Sequence, residues 1–185
     1  IREWLINFAQ KHNLEYKVDE IGNVAMFRPA APGFENVPGI CMQGHMDMVC
    51  EKNGDVDHNF DTDPIKTIID GEWVHAAGTT LGADNGIGMA GALAALIDPE
   101  IQAGPLCALC TVDEETGLTG ATKISEGMIR ADYLLNLDSE EDGEICMGCA
   151  GGKDSNATFT YTPSPAPQDF VYFNVAFKKF SGGHS

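Results

Sequence analysis

Three times in this chain an apolar stretch, short enough to be a strand, runs straight into acidic or imidazole side chains. Residues 39–43 (Gly-Ile-Cys-Met-Gln) lead to His45 and Asp47, residues 106–112 lead to Glu114 and Glu115, and residues 133–137 lead to Asp138. Short apolar runs closed by Gly or Asp, with no helical period, read as strands buried in a sheet. Strands that each release polar groups at their exits describe an α/β sheet, in which ligands bind at the C-terminal rim of the strands.

The remaining segments fit around such a sheet. Trp4, Leu5 and Phe8 fall at helical spacing and predict an amphipathic helix over residues 2–11. Residues 14–18 and 23–28 flank Asp19-Glu20-Ile21-Gly22 and predict a hairpin. Residues 29–38 are a loop, residues 51–63 a solvated acidic loop, and residues 65–69 with 72–76 a second hairpin around Asp70-Gly71. A polar, glycine-rich turn, residues 78–88, then delivers Asp84 to the mouth of a helix over residues 87–97. That helix is apolar all round, which predicts burial, and it stops at Asp98-Pro99. Residues 120–126 are predicted helical and residues 144–149 a short strand before a hinge at Ala150-Gly151-Gly152. Residues 157–162 and 170–180 have the alternation of strands and open a second domain.

Charge limits the partners. With 28 Asp and Glu against 11 Lys and Arg, the net charge of -17 repels phosphate backbones and anionic lipid, so neither nucleic acid nor a membrane is expected as a partner. Cations and small solutes remain compatible. The apolar run at residues 87–97 is too short to span a bilayer and no leader pattern opens the chain, so a cytoplasmic location is expected. Because the chain begins at Ile1 in helical pattern and ends at Gly182-Gly183-His184-Ser185, it is expected to be a piece of a longer one.

Two letter patterns are set aside. Cys107-x-x-Cys110 and Cys146-x-x-Cys149 outline a zinc ribbon, but Cys107 and Cys110 sit three apart on an apolar strand, which points their thiols to opposite faces. They read as small core residues. Gly86-x-Gly88-x-x-Gly91 spells a dinucleotide fingerprint, yet a polar turn precedes it where that fingerprint requires an apolar strand.

The rim residues form a chemical set. In His45-x-Asp47 alternate side chains share a face, so Asp47 can hold one imidazole nitrogen while the other binds a metal. Glu114 and Glu115 sit together at the sheet's edge, where burying two like charges calls for a cation. One imidazole and several carboxylates suit Zn, Mn or Co, with Asp84 central to a carboxylate-bridged pair of ions, and hydrolysis is the chemistry that follows.

Residues 43–49, 78–88, 113–117 and 137–141 together resemble the aminoacyl-histidine dipeptidases (peptidase D), a branch of the di-zinc exopeptidases related to carboxypeptidase G, peptidase T and carnosinase. Residues 144–152 resemble that branch as well. The resemblance implies an α/β fold: a mixed-sheet catalytic domain begun by residues 1–151, and a smaller α+β lid domain begun by residues 152–185. It implies two Zn ions, with Mn or Co as alternatives: Asp84 bridging them, His45 and Asp138 completing one site, and Glu115 serving the other. Asp47 would orient His45. Glu114 would be the general base on the metal-bridging water, and His184 would polarise the scissile carbonyl from the lid. A cis peptide after Asp84 is also implied. The expected activity is hydrolysis of Xaa-His dipeptides, the substrate being a small dipeptide and the protein a homodimer through the lid domain. Alternatives are an N-acyl amino-acid deacylase, a tripeptidase, or a metal-binding module without catalysis. The family draws one more metal-ligand histidine from near its C-terminus, which this sequence does not contain, so the chain by itself is expected to be inactive.

Overall fold

The computed structural model describes residues 1–139, 141, 143–148, 155–165 and 167–176. It divides into two compact units, Ile1–Ile145 and Cys146–Ser185.

In the first unit the chain opens with α1 (Arg2–Lys11), which buries Leu5 and Ala9. Strands β1 (Glu15–Val18) and β2 (Val24–Arg28) form the expected antiparallel hairpin. They are followed by β3 (Ile40–His45), β4 (Thr67–Asp70), β5 (Trp73–Ala76), α2 (Ala83–Ile97), β6 (Leu106–Thr111), α3 (Thr119–Thr122) and β7 (Tyr133–Asn136). Five strands make one sheet in the order β1-β2-β6-β3-β7, while β4 and β5 pair separately. The sheet is mixed: β2 runs antiparallel to β6, but β3 is parallel to both β6 and β7.

Strand β6 is the centre of the core, buried at every position. Its alternation feeds two apolar layers. Leu106, Ala108 and Cys110 pack with Leu5 of α1, Val24 and Met26 of β2 and Met89, Leu93 and Leu96 of α2. Cys107 and Leu109 face the other way, onto Ala25, Phe27, Cys41 and Met128. The two thiols of Cys107 and Cys110 therefore do lie on opposite faces. Burial pushes the Cys110 thiol up to about 12, in keeping with a core residue. Cys146 is exposed, and Cys149 lies outside the described residues. Leu109 is 1% exposed, so Leu109→Ala should cost about 2 to 5 kcal/mol, read as a lower urea midpoint. An unchanged midpoint would contradict this account of the core.

Several local expectations need correction. The α2 helix is buried on one face only; Ile87 is 75% exposed and Ile97 40%, because the sheet covers just the Met89, Ala92, Leu93 and Leu96 side. Strand β7 lies at the sheet edge with Tyr133, Leu134 and Leu135 exposed, an apolar run that among the described residues has a neighbour on one side only. The helix expected at residues 120–126 is a single turn, Thr119–Thr122. There the Thr122 hydroxyl donates to the Leu118 and Thr119 carbonyls, and the Ser125 amide turns away to the Asp19 carboxylate.

In the second unit no helix or strand forms among the described residues. The strands expected over residues 144–149, 157–162 and 170–180 are absent where they are described. Strands exist only as pairs, and here Phe159, Tyr161, Phe170 and Phe173 stand exposed with no ladder partner among the described residues. The hinge at 150–152 and His184 lie outside the described residues. No described helix is long and apolar enough to cross a membrane.

Candidate metal centre

The order β6-β3-β7 is what assembles the site. From β3 the chain crosses to one side to form β6 and returns to the other to form β7, so the C-terminal end of β3 opens into the crevice between two diverging connections. His45 is the last residue of β3 and is 1% exposed. Its Nδ1 donates to the Asp47 carbonyl at 3.1 Å, which aims Nε2 at the Asp84 Oδ1, 2.9 Å away, with the Asp138 Oδ1 at 3.7 Å. Asp47 thus reaches His45 both through its backbone carbonyl and through the carboxylate that strand alternation suggested, whose Oδ1 stands in ion-pair range of Nδ1 at 3.5 Å.

The Asp47 carboxylate has other work. Its two oxygens accept the amide protons of Glu114 and Glu115, each at 3.1 Å, and so pin the loop that leaves β6 beside the loop that leaves β3. A small cavity of about 190 Å³ opens between Glu114 and Asp138, floored by Gln43, Thr111 and Leu118.

Asp84 stands where α2 begins, but the helix is not yet regular there: Asp84 and Asn85 have non-helical backbone angles, and the peptide between them is cis, as the resemblance implied. Asn85 is a site residue that sequence reasoning missed. Only 4% exposed, it donates from Nδ2 to the Leu137 carbonyl and to the Asp138 Oδ1, both at 2.7 Å, tying α2 to the exit of β7. Two glycines leave room for it in the fold. A Cβ at Gly44 would lie 2.1 Å from the Asn85 Oδ1, and one at Gly88 2.5 Å from the Leu137 carbonyl oxygen.

Six of the seven residues singled out from sequence therefore meet at one rim, and the seventh, His184, is not described. Five of the six form two sets with possible ligand atoms within 4.8 Å of one another, His45 with Asp84 and Asp138, and His45 with Glu114 and Glu115; Asp47 belongs to neither. The member common to both sets is His45. Glu115 is grouped with His45 and Glu114.

Titration reflects the crowding. Burial pulls the His45 imidazole down, but the Asp84 hydrogen bond and the negative charges of Asp138, Asp84 and Asp47 outweigh it, leaving His45 above its ordinary value. Burial raises Glu114; Asp138, Glu115 and Asp47 add to the rise and His45 opposes it. Burial also raises Asp138, helped by a hydrogen bond shared with Asp84 and opposed by Asn85. Without a cation the cluster thus holds protons above the pH at which the isolated groups lose them. An imidazole and carboxylates this close match the donor set of a Zn, Mn or Co ion, which would take the place of those protons. Metal loading should then release protons and tighten as pH rises between about 5 and 8. Adding Zn²⁺ to the protein in weak buffer should acidify the solution; loading without proton release would contradict the assignment.

Comparison with known proteins gives the architecture a family. The model of Peptidase family M20/M25/M40 matches residues 41–175, which spans β3, α2, β6, β7 and the whole rim set. The chain belongs to this family. Among its relatives, the cytosol non-specific dipeptidase of Escherichia coli is 45% identical over 185 residues, all of this chain and 38% of that protein. The M20 chain described here therefore spans well under half the length of that relative. A crystal structure of aminoacylhistidine dipeptidase from Vibrio alginolyticus superimposes with a TM-score of 0.74 and 50% identity, covering 77% of this chain and 29% of that one. A tripeptidase from Staphylococcus aureus gives a TM-score of 0.63 at 25% identity, covering 76% and 38%. The mixed α/β sheet expected from sequence is the fold these peptidases share.

Proposed function

We propose that the full-length protein is a metal-dependent dipeptidase that hydrolyses Xaa-His dipeptides. The observation that carries this is the meeting of a buried imidazole with four carboxylates at one sheet rim, His45 with Asp84 and Asp138 on one side and with Glu114 and Glu115 on the other. Family membership and the likeness to dipeptidases support it.

His45, Asp84, Asp138 and Glu115 would hold two Zn ions, with Mn or Co as alternatives, and Asp84 would be shared between them. When bound, such ions polarise a carbonyl and make a water molecule acidic enough to attack it. Glu114 supplies the proton traffic. Held by its amide to Asp47, it accepts a proton from the attacking water as the new C–O bond forms. It then returns that proton to the amine as the C–N bond breaks. A carboxyl raised by burial suits both halves of that cycle. Asp47 positions His45 through its carbonyl and carboxylate, and Glu114 through that same carboxylate. The cavity between Glu114 and Asp138 is small beside the ~300 to 1,000 Å³ of ligand pockets, so it fits a reacting group more than a whole substrate. On sequence resemblance alone, His184 is assigned to stabilising the oxyanion. Dimerisation through the second unit and a cytoplasmic location belong to the same proposal.

Rates on β-Ala-His, an N-acetyl amino acid and a tripeptide separate the candidates. Preference for β-Ala-His supports the dipeptidase. Preference for the tripeptide, as the Staphylococcus aureus likeness would allow, or for the acyl substrate overturns the Xaa-His assignment.

A further inference from the structure

The loop that carries Glu114 and Glu115 is held at two places. Its tip is fixed by the Asp47 carboxylate. Its neck closes where the Gly120 amide donates to the Val112 carbonyl at 3.0 Å and the Thr119 amide to the Asp113 carbonyl at 3.3 Å. Both sides of that neck also meet one side chain from a distant part of the chain. Asn23, fully buried in the turn between β1 and β2, accepts the Val112 amide proton on Oδ1 at 3.0 Å and donates from Nδ2 to the Gly120 carbonyl at 3.0 Å.

The remaining Nδ2 proton goes to the Asp19 Oδ2 at 2.9 Å. Asp19 is in turn fixed by accepting the Gly22 and Asn23 amides on Oδ1, at 3.0 and 2.8 Å, and the Ser125 amide on Oδ2 at 3.4 Å. The Asn23 amide therefore has both protons and its oxygen engaged. Only a residue without a side chain fits opposite it: a Cβ at Gly120 would lie 2.4 Å from the Val112 carbonyl oxygen and 2.5 Å from the Asn23 Oδ1.

An apolar side chain of similar size would fill the space but leave the Val112 amide and the Gly120 carbonyl without these partners. What an amide adds is direction, because its donor and acceptor lie in one plane and set the Val112 and Gly120 sides of the neck at a fixed separation. Between them the loop passes through left-handed backbone at Asp113 (φ 53°), Gly117 (φ 128°) and Leu118 (φ 57°). A path with three such residues depends closely on where its ends are held.

We propose that Asn23 is a positioning residue for the hydrolysis, clamping the neck of this loop so that Glu114 stands at its working distance from His45 and Asp138. This rests on the assignment of Glu114 as the base. Asn23 touches neither substrate nor metal ligand and acts through Val112 and Gly120.

The test uses the full-length protein with Asn23→Asp, which keeps the size and the acceptor for Val112 but loses the donor to Gly120. It is compared with the swap Asp19→Asn/Asn23→Asp, which rebuilds the pair between residues 19 and 23 and still leaves the Gly120 carbonyl unserved. For Asn23→Asp, kcat on β-Ala-His should fall about tenfold or more while KM moves less than about threefold. The Glu114 and Glu115 amides should exchange with solvent about tenfold faster, with β3 unchanged. Relative to Asn23→Asp, the swap should recover part of the thermal midpoint, the Gly120 carbonyl remaining unserved, and leave kcat low.

If the swap restores kcat together with the midpoint, Asn23 is only structural and the proposal fails. Wild-type exchange at Glu114 and Glu115 in Asn23→Asp overturns it as well. Should Asn23→Asp not fold, Asn23→Ser takes its place, and failure of both to fold also assigns Asn23 to stability alone. If the wild-type protein hydrolyses no dipeptide, the dipeptidase assignment falls, and the exchange rates decide the clamp independently.

Discussion

Replacing Glu114 with Ala in the full-length protein is expected to lower kcat by about 10² to 10⁴-fold while the metal content stays at the wild-type level. The size follows from what a positioned acid and base contributes when it takes a proton in one step and gives it back in the next. Retention of metal follows because His45, Asp84, Asp138 and Glu115 supply ligand atoms without it. Glu114 is nonetheless close enough to His45 and Glu115 to be a ligand itself, since the three form one set within 4.8 Å. Metal analysis beside kinetics separates the two roles. Loss of turnover with full metal content marks a base, loss of metal marks a ligand, and undiminished turnover removes Glu114 from the chemistry. Glu114→Gln refines this, because the amide keeps the shape and the Asp47 contact is made by the backbone. It should fail as badly as Ala.

The second large effect is on the metal. Dialysis against a chelator should abolish turnover of the full-length protein, and Zn²⁺, Mn²⁺ or Co²⁺ should restore it. His45→Ala should prevent that restoration, because His45 is the one member of both ligand sets and its Nε2 is the only nitrogen donor in either. Losing this buried imidazole should cost more than losing Glu115, one carboxylate among several. Asn85→Ala should fall between them: it deletes no ligand but frees Asp138 and the Leu137 carbonyl from their tie to α2. Equal metal affinity in His45→Ala and the wild type would show that the ions bind elsewhere.

Much of this was legible because strand exits and chemistry coincide in the sequence. His45, Glu114, Glu115 and Asp138 each follow an apolar run that became β3, β6 or β7, and parallel pairing of these strands brings their ends to one rim. The facing of Cys107 and Cys110 followed from strand alternation in the same way. What alternation could not show was that the Asp47 carbonyl also meets His45, since this depends on how the chain turns after the strand. Asn85 and Asn23 escaped for another reason. A lone Asn in a turn looks like any other Asn, and its value appears only when the fold brings Leu137, Val112 and Gly120 to it. Residues 120–126 had a plausible helical pattern, but tertiary hydrogen bonds to Asp19 and back-bonding by Thr122 limited it to one turn. Apolarity likewise marked α2 and β7 as elements that seek cover, and their exposed Ile87, Leu134 and Leu135 were not foreseeable from pattern alone.

The central claim is that a pair of cations draws these carboxylates together around His45. An anomalous difference map at the zinc edge, from crystals of the active full-length protein, tests it most directly. The account predicts two peaks about 3.5 to 4 Å apart, both in contact with Asp84 and one of them also with His45 and Asp138. Active crystals with no peak at this rim, or with their ions bound elsewhere, would contradict it.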